Sequence, residues 1–249
     1  MTVDLFDVDA MVGPVATTAD VAEDVSALLT RMDRLRIAET IVVHTHAWRH
    51  DVAAGNRLAV EQVDGHERLH PGWVVLPDTC GEVPPPAEFV GAAVRHGVAA
   101  FRACPVDHGY DLLGPDMAGA LTELEAYGRP LLLDSDQVPW PQVDVLAGRH
   151  PRLAVVVTHT GYRTVRPMAG VLARHDNVYV DLSYLGTHQV LEWLVERFGP
   201  GRVLFGTGQP HRDPADAVAR LLWSDLDDDA VAAIGAGNLR RLVTGGVPA

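Results

Sequence analysis

Apolar positions along this chain fall into two alternating kinds of segment. Short runs rich in Val, Ile, Leu and Phe alternate with longer stretches in which apolar residues recur every three or four positions. The clearest unit spans Asn177 to Pro210. Asn177–Leu182 is a β-rich run, and Val190, Leu191, Leu194, Val195 and Phe198 share one helical face. Gly199-Pro200-Gly201 stops that helix, and Arg202–Phe205 starts a second β-rich run that breaks into Gly206-Thr207-Gly208. A strand–helix–strand crossover of this length suits two parallel strands.

The same unit repeats through the chain. Val3–Val8 reads as a first strand leading into Asp7-Val8-Asp9-Ala10-Met11. Asp20 with Glu23 three residues on resembles a capping box, ahead of a helical stripe of Val21, Val25, Leu28, Leu29 and Met32. Strand two is Thr40–Val43, closing with His44-Thr45-His46, and a helical segment follows from Ala54 to Val63. Trp73–Leu76, Val98–Phe101, Leu131–Leu133 and Leu153–Val157 are the next four strands. Helices over Pro86–Val94, Asp116–Tyr127, Gln142–Arg149 and Thr164–Arg174 follow them in turn. Asp213-Pro214 supplies an N-cap and a first-turn proline for a helix to Leu222, and Asp227–Leu242 reads as a final helix. Eight β-rich runs, each followed by a helical one, are the sequence form of a single-domain (β/α)8 barrel covering residues 1–249. No G-x-G-x-x-G or Walker loop follows the first strand, which removes the main support for a nucleotide-binding open sheet.

Charge narrows the partners. Lys+Arg 20 against Asp+Glu 33 gives a formal net charge of −13, which repels nucleic acid and anionic membrane and favours a small-molecule substrate. Two cysteines, Cys80 and Cys104, make neither a disulfide framework nor a Cys-x-x-Cys metal signature. With a polar start after Met1 and no bilayer-length apolar run, a cytoplasmic protein is expected, and its apolar helix faces are compatible with a homodimer.

In a barrel, the C-terminal ends of the strands converge on one mouth. Here those ends carry Asp7, Asp9, Met11, His44, His46, Arg102, Asp134, Asp136, His159, Asp181, Ser183, Thr207 and His211. No Gly-x-Ser-x-Gly elbow and no Cys–His pairing points to nucleophilic catalysis.

The residues FDVDAMVG, VVVTHTG and RVLFGTGQP, with Gly237-Asn238-Leu239-Arg240-Arg241-Leu242 in the last helix, resemble amidohydrolase-related proteins. The resemblance implies a barrel shared by metal-dependent hydrolases and decarboxylases. It also marks departures. The family's His-x-His on strand one stands here as Asp9 and Met11, its histidine after strand five as Asp134, and its last-strand aspartate as Gly208. The histidine after strand six is matched by His159. Methionine is a poor substitute for imidazole on zinc, and glycine offers no side chain, so no cofactor is expected. The alternative is one divalent ion, zinc, manganese or iron, held by Asp9, Asp134 and His159.

The roles expected on this basis are acid/base catalysis by His159 with Asp134 and Asp9. Substrate contacts are expected from His44, His46, Arg102, Arg163, Asp181 and His211, with Arg102 placed to clamp a carboxylate. Alternation along a strand would make His44 and His46 face the same way. Asp7 is expected to be a buried structural carboxylate, and Asp136 to cap the turn after strand five. Two functions remain open. One is an enzyme that hydrolyses, decarboxylates or rearranges a small, anionic carbonyl compound. The other is a non-catalytic relative that binds a small molecule or serves as a partner subunit.

Overall fold

The computed structural model describes residues 3–14 and 24–245. Eight parallel strands lie side by side in sequence order: β1 (Phe6–Val12), β2 (Glu39–His44), β3 (Leu69–Val74), β4 (Ala100–Ala103), β5 (Leu131–Asp134), β6 (Val155–Thr158), β7 (Val178–Asp181) and β8 (Val203–Leu204). The ring closes where Val8 N–H donates to the Phe205 carbonyl, Met11 N–H to the Gln209 carbonyl and Gly208 N–H to the Asp9 carbonyl. Helices follow the strands, several started by an aspartate that accepts a first-turn N–H: Asp24 from Ala27, Asp51 from Ala54 and Asp227 from Ala230. The expected capping pair Asp20 and Glu23, with Val21, lies outside the described residues.

Alternation along the strands sorts the core into two apolar clusters. Leu131, Leu133, Val155, Val157, Val178, Val180, Val203 and Phe205 belong to the outer one, between sheet and helices. Their neighbours Leu132, Val156, Tyr179 and Leu204, with Phe6, Val8, Ile41 and Ala100, belong to the inner one, plugged by Ala236, Leu239 and Leu242 of the last helical segment. Two residues further along each inward row the chemistry changes: Ala100 gives way to Arg102, Leu132 to Asp134, Val156 to Thr158, Tyr179 to Asp181 and Leu204 to Gly206. One apolar layer therefore seals the barrel beneath a polar one.

β1 runs further than its apolar residues suggest, through Val12, and carries a register shift between Asp7 and Ala10. Strict alternation would put Val8 and Asp9 on opposite sides. The bulge lets Val8 join the inner apolar cluster while the Asp9 side chain reaches Arg102 on β4 and His159 just after β6, and Met11 packs in the outer cluster. The expected final helix is broken into Asp228–Ala232 and Asn238–Val243 by a wide turn at Ala233–Gly237. A Cβ on Gly235 would press to 2.8 Å from the Asp4 carbonyl, so that turn needs glycine to lie against the chain entering β1.

Candidate active site

The polar layer is organised around Arg102. Its guanidinium donates from Nη2 to Asp9 Oδ1 and, at 2.5 Å, from Nη1 to Asp134 Oδ1. The second Asp9 oxygen lies 2.8 Å from His159 Nε2, and His159 Nδ1 lies 3.5 Å from Asp134 Oδ1. The Thr158 hydroxyl also donates to Asp134 Oδ1. Side-chain exposure is 1% for Arg102, 2% for Asp9, 8% for Asp134 and 13% for His159, so the imidazole is the member of this network nearest to solvent.

Electrostatics follow from that geometry. Burial alone would raise the Asp9 carboxyl, but the Arg102 charge and His159 outweigh it and hold Asp9 down at about 2. Asp134 moves the same way for the same reason. Burial likewise opposes charge on His159, yet its hydrogen bond to Asp9 and the charges of Asp9, Asp134 and Asp181 raise it to about 9. Burial opposes the Arg102 charge, and Asp134 and Asp9 more than restore it. The result is two carboxylates facing a guanidinium and an imidazolium at neutral pH.

Asp181 lies beneath His159 and accepts the His159 backbone N–H at 3.2 Å and that of Ser183 at 3.3 Å. Gly206 makes room for it, since a Cβ there would overlap the Asp181 carboxylate. Burial pushes Asp181 up to about 6. His159 itself has φ +59°, a left-handed backbone uncommon outside glycine, asparagine and aspartate. The ring of Tyr184 packs on the imidazole with centroids 4.5 Å apart, and the Arg212 guanidinium covers Tyr184 at 3.9 Å. Gly208, at φ +65°, completes the surround: a Cβ there would lie 3.5 Å from His159 Nε2 and 3.4 Å from the Tyr184 ring.

Several expected site residues are placed otherwise. Arg102 is fully buried and both its terminal amino groups are taken by Asp9 and Asp134, so as arranged it offers no clamp to a substrate carboxylate. His44 and His46 do not share a strand face. The chain turns into a helix at Thr45–Arg49, where His44 Nδ1 accepts the His46 N–H at 3.0 Å as a cap, while His44 Nε2 lies 3.3 Å from Gln62. That cap requires an unprotonated Nδ1, in keeping with a His44 pKa lowered by burial and by His46. His46 stacks toward His50 instead, with centroids 5.1 Å apart. Arg163 is exposed on the turn Tyr162–Thr164, against its neighbour Tyr162, and Asp136 is exposed after β5. His211 sits at the rim, edge-on to Trp48 at 5.7 Å, its pKa lowered by burial and by the charge of His159. Cys104 is buried and its thiol is pushed up to about 12, which suits no nucleophile.

Three groups at the site escaped the sequence reading. Thr158 was recoverable, because it stands two residues beyond inward-facing Val156 on the same strand. Tyr184 and Trp48 lie beyond strand ends, in a loop and in a short helix, where no periodicity says which way a ring points.

A divalent ion can be tested against this arrangement. Asp9, Asp134 and His159 each offer a ligand atom, all within 4.8 Å of one another, a spacing suited to a metal. Yet the guanidinium of Arg102 already bridges the two carboxylates, and His159 Nε2 is turned onto Asp9. As they stand, these residues satisfy each other and do not fit an additional dication.

Fold and site together define a (β/α)8 barrel with a titratable cluster at the C-terminal ends of its strands. Residues 10–244 match the family model Amidohydro_2, described as amidohydrolase, and the chain belongs to that family. Membership carries the reading of a hydrolase or lyase of the amidohydrolase superfamily. Solved structures with the same fold include 2,6-dihydroxybenzoate decarboxylase from Rhizobium, with 14% identity, TM-score 0.79, and 98% of this chain and 99% of that one covered. The 5-carboxyvanillate decarboxylase of Sphingomonas paucimobilis is similar at 15% identity and TM-score 0.74, covering 98% of this chain and 100% of that one. A probable 2-pyrone-4,6-dicarboxylic acid hydrolase from Acinetobacter baumannii, with citric acid bound, shares 15% identity at TM-score 0.73, covering 96% and 99%. No curated protein matches the sequence.

Proposed function

We propose that this protein hydrolyses or decarboxylates a small, anionic carbonyl compound by acid/base chemistry, with His159 as the proton donor and no metal. The observation that carries the reading is the position of His159: it is the most exposed member of a buried charge network, raised to about 9 and therefore protonated at neutral pH. Asp9 and Asp134 keep it charged and oriented, and Asp181 fixes its backbone. As it stands Nε2 donates to Asp9 Oδ2, so a substrate oxygen or carbon would take that hydrogen over from Asp9, at a point where Gly208 presents no side chain. Cationic or titratable groups gather at the rim, with Arg212 over Tyr184 and His211 beside Trp48, which also carries Arg49 at 3.5 Å from its ring centroid. Arg49 is paired with Asp107 at 3.6 Å, which leaves Arg212 as a rim cation that supports an anionic substrate on a chain of net charge −13. The neighbouring structures, whose names specify ring carboxylates, support cyclic and aromatic carboxylic acids as the first compounds to try.

The test is turnover of a panel of such acids and their lactones, followed by His159→Asn. Loss of the proton donor is expected to lower kcat about 10²–10⁴-fold while KM changes little. Wild-type kcat in a folded H159N would remove His159 from the chemistry. One observation favours a second reading, a binder without catalysis: the four charged groups satisfy one another, as a purely structural network would. Saturable carboxylate binding without turnover anywhere between pH 5 and 9 would support that reading instead.

A homodimer is proposed from exposed apolar surface, since Trp223 is 88% exposed beside Leu222 at 47%. Sedimentation of wild type as a monomer at tens of micromolar would exclude it. Among the described residues no helix is long and apolar enough to cross a membrane.

A further inference from the structure

We infer that Arg102 is a covalently tethered cation standing where a divalent ion would have to sit, so that this barrel excludes metal by its own side chain and would accept one if the guanidinium were removed. The inference deepens the metal-independent reading of the same site.

Four observations carry it. Asp9 and Asp134 come from strands that are not neighbours, β1 and β5, and what joins them is the fork of Arg102 on β4, one nitrogen to each. Arg102 follows the inward-facing Ala100 by two positions, so the strand itself aims its side chain up the barrel axis toward the mouth. Third, the fork is fully enclosed, and among the described residues the buried Nε finds no hydrogen-bond partner. A guanidinium positioned for general packing would be expected to satisfy that nitrogen; here the two carboxylates dictate the pose. Lastly, the ligand atoms of the same two carboxylates and His159 lie within 4.8 Å of one another. The donor set of a metal site is therefore present, but two of its three members are already held by a positive charge that cannot dissociate or lose its proton.

The consequences are chemical. A tethered guanidinium balances the carboxylates as an ion would, but it has no open coordination position and cannot bind or acidify a water. A dication added beside it would meet a like charge in a region of weak screening and would compete for lone pairs already in use. Removing the guanidinium reverses both conditions. Two buried carboxylates would be left facing each other next to an imidazole, and a divalent ion is the simplest counter-charge that also satisfies their geometry.

The experiment is metal content by mass spectrometry after dialysis, with thermal melting in zinc or manganese, on wild type, Arg102→Ala and Arg102→Lys, the cells being grown with both metals supplied. Wild type is expected to retain well below one equivalent and to melt at the same temperature with or without metal. R102A is expected to hold close to one equivalent, and its melting temperature is expected to rise by about 5–10 °C at a hundredfold excess over Kd. Adding Asp9→Asn to R102A should abolish that rise. R102K, which keeps a cation in place, should behave as wild type. If R102A is recovered only from metal-supplemented cells and unfolds on chelation, the inference is supported. Stoichiometric metal in wild type overturns it, as does metal uptake by R102K equal to that of R102A, or a folded R102A that takes up none. None of these readouts depends on turnover. A metal-free wild type that acts on no carboxylate would therefore defeat the proposed function while leaving this inference standing.

Discussion

Asp7 and Asp9 stand two residues apart on one strand, both essentially buried, and they behave in opposite ways. Asp9 lies on the side of the mouth that contains Arg102 and His159, and is driven down to about 2. Asp7 lies on the side closed by β8, where it accepts from Thr207 N–H at 2.9 Å, Thr207 Oγ1 at 2.5 Å, Gln209 Nε2 at 3.0 Å and Asp9 N–H at 3.0 Å. Four donors converge on it, but among the described residues no cation does, and burial pushes it up to about 7. Hydrogen bonds satisfy the geometry of a buried carboxylate. Here they do not offset the burial of Asp7, whereas the charge of Arg102 offsets that of Asp9. The mouth thus has a charge-compensated half, from β1 across β4 and β5 to β6, and a half held by neutral donors, at β8 and β7.

Removing the cation is expected to have the largest effect on the charge-compensated half. Arg102→Met keeps volume and deletes the charge, leaving Asp9 and Asp134 buried and uncompensated. Loss of one partner from a buried ion pair typically costs about 3–5 kcal/mol, and here one substitution strands two carboxylates. Urea denaturation in the presence of a chelator is expected to show a loss at the upper end of that range. The triple substitution R102M/D9N/D134N, which makes the compensated half resemble the neutral one, is expected to recover most of it. No recovery would mean that Arg102 stabilises chiefly by packing, and that the two halves differ less than their electrostatics imply.

The sequence was legible where a rule of short range governs the outcome. Strand and helix periodicity placed all eight strands, because one face of each had to pack on helices. The switch from Leu132 to Asp134, and from Val156 to Thr158, already marks the height at which the barrel interior turns polar. Strand-end geometry put Asp9, Asp134 and His159 among thirteen residues at one mouth, and the family resemblance singled these three out. What escaped depends on partners far away in the chain or on local competition. Arg102 reads as a substrate clamp until Asp9, 93 residues earlier, and Asp134, 32 residues later, are found on its two nitrogens. His44 and His46 read as a strand pair until His44 is seen to accept the His46 N–H and start a helix. The bulge that turns Asp9 inward adds one residue to β1 without any glycine or proline inside the strand to announce it.

A smaller effect sharpens the comparison through pH. The compensated half contributes on both flanks of neutrality. Asp9, lowered to about 2 from 3.8, stabilises above pH 4 and loses that contribution as pH falls through 2. His159, raised to about 9 from 6.5, stabilises fully below 6.5, and the contribution is lost as pH rises through 9. The neutral half acts in between and in one direction. Asp7, raised to about 7, and Asp181, raised to about 6, are favoured by folding when protonated, so their contribution is complete below pH 4 and is lost as pH rises through those values. Stability should therefore peak near pH 4 and decline from there toward pH 8. Asp7→Asn isolates one arm of that decline. Asparagine cannot ionise, so a loss of about 4 kcal/mol between pH 4 and 7 should disappear. It also offers one acceptor where Asp7 offers two, so D7N should be less stable than wild type at pH 4 by about 1–2 kcal/mol. The two stability curves are then expected to converge or cross near neutrality. A D7N profile parallel to wild type from pH 4 to 8 would show that Asp7 is ionised in the fold throughout, and that four neutral donors can after all hold a buried carboxylate as Arg102 does.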